Sequence, residues 1–88
     1  MRIRRNHKLG IEEAKIRASH IAETLGKQYA LDSHWHGDRL VVDGHGVNGH
    51  LDVADDSIEM VVKLGFALRL MEVPIRNAIE SMVDDELA

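Results

Sequence analysis

The stretch Ser57–Met71, SIEMVVKLGFALRLM, decides the fold. Its even positions, Ile58, Met60, Val62, Leu64, Phe66, Leu68 and Leu70, are apolar without a break, while Glu59, Lys63 and Arg69 fall between them. Side chains on a strand point alternately to opposite faces, so the pattern predicts a central strand with one buried and one wet face. Length limits that strand. From Ile58 to Leu70 a fully extended chain would span ~41 Å. A globule of this size has an expected radius of gyration of ~12 Å and a diameter of ~31 Å. Glycine inside a strand marks a bend, so the strand is expected to bend at Gly65 and end near Phe66. Ala67–Val73 then reads as a connection that keeps apolar contacts.

Upstream, two further runs alternate in the same way. Val47, Gly49, Leu51 and Val53 point inward, with Asn48, His50 and Asp52 outward, and Asp43-Gly44-His45-Gly46 supplies a turn before them. Ser33–His36 and Arg39–Asp43 read as one strand interrupted by a kink or bulge at Gly37-Asp38. Ala54–Ser57 is the last turn of this meander. Met1–His7, with Ile3 between arginines, reads as an edge strand whose charges discourage foreign pairing.

Two helices complete the chain. Ile11, Ala14, Ala18, Ile21, Ala22, Leu25 and Tyr29 make one apolar stripe at helical spacing. Gly10 is the expected N-cap, Glu12 and Glu13 suit the first turn, and the stripe carries the helix through Gly26 to about Tyr29 at a cost of ~1 kcal/mol for the glycine. Pro74 suits the first position of a second helix, with Ile75, Ala78, Ile79 and Met82 as its inner stripe and Val83 at the flank. Its end, Asp84-Asp85-Glu86, puts negative charge at a helix C-terminus and is expected to fray. The element order β-α-β-β-β-α with short links implies an antiparallel sheet. Both helices need an apolar partner, so the expected architecture is a single two-layer α+β domain over residues 1–88, both helices on one face.

Composition narrows function. The chain has 88 residues, 44% hydrophobic and only 3% aromatic, and a thin core makes a homodimer a natural way to gain burial. It has no cysteine, which removes disulfides, thiol nucleophiles and Cys-ligated zinc. No apolar run reaches membrane-spanning length, no signal peptide is recognisable, and a cytoplasmic location is the default expectation. The net charge of −4 argues against a nucleic-acid partner. Residues 1–17 carry six Arg and Lys against two Glu, and residues 71–88 carry one Arg against five acids. That asymmetry is expected to draw the two ends together, within one molecule or between two.

The six histidines include His34 and His36, which share a strand face, with His45 and His50 across the next turn. A His-based zinc or nickel enzyme is conceivable on that basis, but no cysteine or HExxH helix joins them, and the expectation is no metal. Most aspartates sit at turns, where they bond their own backbone. Gly44-x-Gly46-x-x-Gly49 lies between two strands and opens no helix, so it is no dinucleotide loop. The expectation is no catalytic set and no cofactor. Trp35 reads as a core ring, with an exposed anchor for a partner as the alternative.

Asn6-His7-Lys8-Leu9-Gly10, Glu12-Glu13-Ala14, Tyr29-x-Leu31-Asp32, Trp35-x-Gly37-Asp38, Gly46-Val47-x-Gly49 and Lys63-Leu64-Gly65-Phe66 follow one another along nearly the whole chain. Together they resemble the polyhydroxyalkanoic acid system protein family. That resemblance implies a small bacterial protein encoded beside polyhydroxyalkanoate synthesis genes and associated with the storage granule, with no catalytic residues to carry over. The sequence lacks the long amphipathic helix of a surface-coating protein, so an adaptor acting through granule-associated proteins, or at the granule surface, is the leading expectation. A small acyl-like ligand between sheet and helix, lined by Met60, Leu64, Phe66 and Ile79, is the alternative. The candidate partner or ligand surface is Trp35, Phe66, Leu68, Leu70 and Met71.

Overall fold

The computed structural model describes residues 1–88. Strand β1 (Arg2–Asn6) leads into helix α1 (Ile11–Tyr29). Strands β2 (Asp32–His36), β3 (Arg39–Gly44), β4 (Val47–Val53) and β5 (Ser57–Leu64) follow, then a short helix α2 (Phe66–Arg69) and helix α3 (Glu72–Leu87). All strand pairs are antiparallel, and the sheet order is β1-β5-β4-β3-β2. The α+β reading therefore holds, with one strand and one short helix more than the expected order. Gly37-Asp38 is no kink. It is the two-residue turn of a β2–β3 hairpin, with Gly37 at φ 58° and His36 paired with Arg39. A positive φ at the first central residue alone matches a type II′ turn, which needs glycine there.

The inner sheet face follows the alternation. Leu40, Leu51, Met60 and Ile3 lie in one cross-strand row, and Val42 and Val62 flank Gly49 in the next. These residues join Ala14, Ala18, Ile21, Ala22 and Leu25 of α1 and Ile75, Ile79 and Val83 of α3 in one core. Both helices thus cover the same sheet face. Val83, expected at the flank, is 2% exposed, because it continues the i, i+4 stripe of Ile75 and Ile79, and α3 begins at Glu72, ahead of Pro74. Pro74 occupies the third helical position, still within the first turn, where its missing N–H costs nothing.

The termini are held by each other. The Arg5 Nε donates to Asp84 Oδ1 at 2.7 Å, and its guanidinium also approaches Glu80. The hydrogen bond to Asp84 raises the Arg5 pKa, so the guanidinium stays charged throughout the physiological range. Arg17 donates to the backbone oxygen of Glu86, and His20 Nδ1 lies 2.9 Å from the Glu86 carboxylate. The end of α3 therefore does not fray as expected: the Arg17 guanidinium and the His20 ring, both from α1, meet the carbonyl and the carboxylate of Glu86.

Candidate functional site

Strand β5 stops at Leu64, where Gly65 donates its N–H to the Gly46 carbonyl at 2.7 Å. A Cβ on Gly65 would meet the Gly46 Cα at 3.2 Å, so the close approach of these two turns favours glycine. Phe66–Arg69 then coils into α2. The expectation that the connection keeps its apolar contacts holds for Leu68 but not for Leu70, Met71 or Val73. Successive helical residues rotate by about 100°, so alternate residues no longer share a face. Leu68 turns in and packs on the core. Phe66 and Leu70, four apart, share the opposite side. They are 88% and 91% exposed. Met71 and Val73 extend this apolar surface into the start of α3.

Arg69 borders the patch, and its Nε donates to the Leu64 carbonyl at 3.3 Å. No acidic side chain lies within α2 itself. Four large apolar side chains exposed within eight residues of sequence are a surface that prefers contact to water.

Trp35 is elsewhere, on the edge strand β2. It is not the core ring that the sequence suggested. It faces the helix side but sits at the margin, 36% exposed. Its indole N–H donates to Ser19 Oγ at 3.3 Å, and the Lys15 ammonium lies 5.6 Å from the ring centroid. The candidate surface is therefore two sites: Phe66, Leu70 and Met71 form one, Trp35 another, and Leu68 belongs to the core margin.

The space between sheet and helices around Met60, Leu64 and Ile79 is packed. A void of about 20 Å³ remains, lined only by hydrophobic residues that include Met60, Leu64 and Ile79. It holds about one water-sized sphere. Small-molecule sites run to roughly 300–1,000 Å³. Phe66 points away from it into solvent. The acyl-like ligand reading fails on both counts.

The histidines do not converge. The His34 and His36 rings stand edge to face at 4.9 Å on the open sheet face, and His50 lies 3.5 Å from Asp52. No three His, Asp or Glu side chains are placed to hold a metal ion. His7 is the one buried polar residue. Its Nδ1 accepts from the Leu9 N–H at 3.1 Å and its Nε2 faces the Ala54 carbonyl at 3.2 Å, so the ring nitrogens are committed to structure. The two backbone partners assign the proton to Nε2. The sequence motif around His7 gave no sign of this role, because the Ala54 carbonyl comes from a turn 47 positions away.

No helix is long and apolar enough to cross a membrane. Comparison with curated proteins and with solved structures gives no match. The sequence model of one family, described as "Putative polyhydroxyalkanoic acid system protein", matches residues 1–87. It spans the β1–α1 turn with His7, the hairpin glycines and the Leu64–Phe66 bend, and this chain belongs to that family.

Proposed function

We propose that the protein is a non-enzymatic component of polyhydroxyalkanoate storage that docks on a granule-associated protein through the apolar turn at Phe66, Leu70, Met71 and Val73. The observation that carries this is the near-complete exposure of Phe66 and Leu70 beside a fully formed core. Family membership supplies the setting. The non-enzymatic reading draws support from the wholly apolar lining of the internal void and from the structural engagement of the single buried histidine. Granule association and an intracellular site of action follow from the same reading.

Cosedimentation separates the partners. Native granules bearing their coat proteins should retain the wild-type chain, and polymer particles stripped of protein should not. The double variant Phe66→Ser/Leu70→Ser should lose binding by at least about tenfold, since each side chain contributes more than ~1 kcal/mol when buried. Equal retention by bare polymer would place the contact on the polyester itself. Retention of the double variant, or no binding of wild type to either particle, would refute the reading.

A further inference from the structure

The two edges of the sheet are not alike. Edge β1 carries Arg2, Arg4 and Arg5, and Arg76 of α3 reaches over to the Arg2 carbonyl. Like charges of that density repel a second β1 and protect the edge. Edge β2 has none of these devices. Asp32-Ser33-His34-Trp35-His36 contains no Lys, Arg or Pro, and all five residues are exposed. An unprotected edge strand is a template for another strand.

We infer that β2 is a dimerisation edge, pairing antiparallel with β2 of a second copy to make one continuous ten-stranded sheet. The two-residue hairpin fixes which backbone groups are free. His36 and Arg39 flank the turn and form a hydrogen-bonded pair, and such pairs alternate along the ladder. The N–H and C=O groups of His36, His34 and Asp32 therefore face β3, and those of Ser33 and Trp35 face outward. A two-fold axis through His34 sets Ser33 against Trp35 of the second copy, so the outward groups on both strands bond each other. All five residues overlap in this register. It places Asp32 opposite His36 of the second copy, twice, which is complementary in sign when the imidazole is protonated. Moving the axis to Trp35 would instead oppose His34 to His36 and Asp32 to Asp38.

The helix side of the edge fits the same register. Between α1 and β2 runs an open groove of about 450 Å³ whose lining includes Ser19, Ala22, Gly26, Ser33 and Leu40. Ser33 is the small residue on that face, so Trp35 of the second copy stands beside it at the edge of this groove, whose lining also includes Glu23, Lys27, Leu31 and the chain's own Trp35. Ile16 of α1 is 51% exposed and borders Trp35 on the same flank. An interface of this kind covers both. It is independent of the granule reading, because it uses neither α2 nor the start of α3.

The chain's lack of cysteine makes the test direct. Sedimentation equilibrium of wild type should give twice the 9.9 kDa chain mass. Ser33→Pro removes an outward N–H without touching the β2–β3 ladder, so it should weaken association by at least about tenfold while melting cooperatively. His34→Cys should cross-link to itself under mild oxidation, because directly opposed residues of a non-hydrogen-bonded pair lie within disulfide reach. His45→Cys, at the β3–β4 turn, should not. A wild-type chain that is monomeric at the highest attainable concentration overturns the inference. So does a dimer that survives in folded Ser33→Pro, or one lost only in Phe66→Ser/Leu70→Ser. Should Ser33→Pro fail to fold, the His34→Cys cross-link decides alone.

Discussion

At the scale of the residue, His7 carries the most consequence for its size. It ties the Leu9 N–H and the Ala54 carbonyl together, and the His7 N–H itself donates to the Asp56 carbonyl at 2.9 Å. The loop before α1 and the turn before β5 are thereby one unit. His7→Ala leaves two partly buried backbone groups without partners, and it should cost about 1–3 kcal/mol in urea unfolding. His45→Ala, on an exposed turn, should stay within about 0.5 kcal/mol. Little of this was legible in the sequence. A lone histidine beside an edge strand reads as surface, and one of its two ring partners lies 47 positions away. The α1 cap was equally hidden. Gly10 was rightly placed at the N-cap, but it has no side chain to give. Asp55 Oδ1 reaches across from the turn to accept the Ile11 N–H at 3.2 Å. Pairs of aspartates in a turn predict only local bonding, not service to a distant helix.

At the scale of the element, the segment after Gly65 shows where a period-2 pattern misleads. Phe66, Leu68 and Leu70 continue the alternation of β5 faultlessly, yet the backbone coils and sends them to opposite sides. Molecular size alone limits the strand to about Gly65–Phe66, close to its observed end at Leu64, but carries no information on the coil that follows. The stability cost of truncation should report this geometry. Leu68→Ala should lose about 1–3 kcal/mol, below the full range for a wholly buried leucine because its contact is partial. Phe66→Ala and Leu70→Ala should each change stability by less than about 0.5 kcal/mol, since neither side chain is shielded in the folded chain. Thermal melts of the three variants check both halves. For α1 and α3, by contrast, stripes at helical spacing identified most inward residues, because the burial of an apolar face leaves a direct periodic trace. The hairpin at Gly37-Asp38 fell between these cases. Gly37 signalled an unusual backbone, but a bulge and a two-residue turn ask for the same residue.

At the scale of the whole molecule, the radius of gyration is 12.2 Å, and the two oppositely charged ends close on each other. The sequence asymmetry foretold attraction of the ends, within one chain or between two, and the structure realises the first. Arg5, Asp84 and Glu80 are all partly solvated, so these pairs contribute modestly, on the order of 0–1 kcal/mol each. Their larger effect is to hold α3 beside β1. Sheet order was beyond the sequence, because alternation identifies strands and not neighbours. The observed order has a consequence in time. From β2 to β5 every pairing is a hairpin between consecutive strands, while β1 pairs only with β5, Arg2 opposite Val61 and Asn6 opposite Ser57. Loop-closure entropy makes such distant pairing slow. The prediction is a polarised folding transition state, with Leu51→Ala giving a high φ-value and Ile3→Ala one near zero. Similar values at both positions would refute it. On a translating ribosome, β1 would then wait, unseated, until β5 had followed it out.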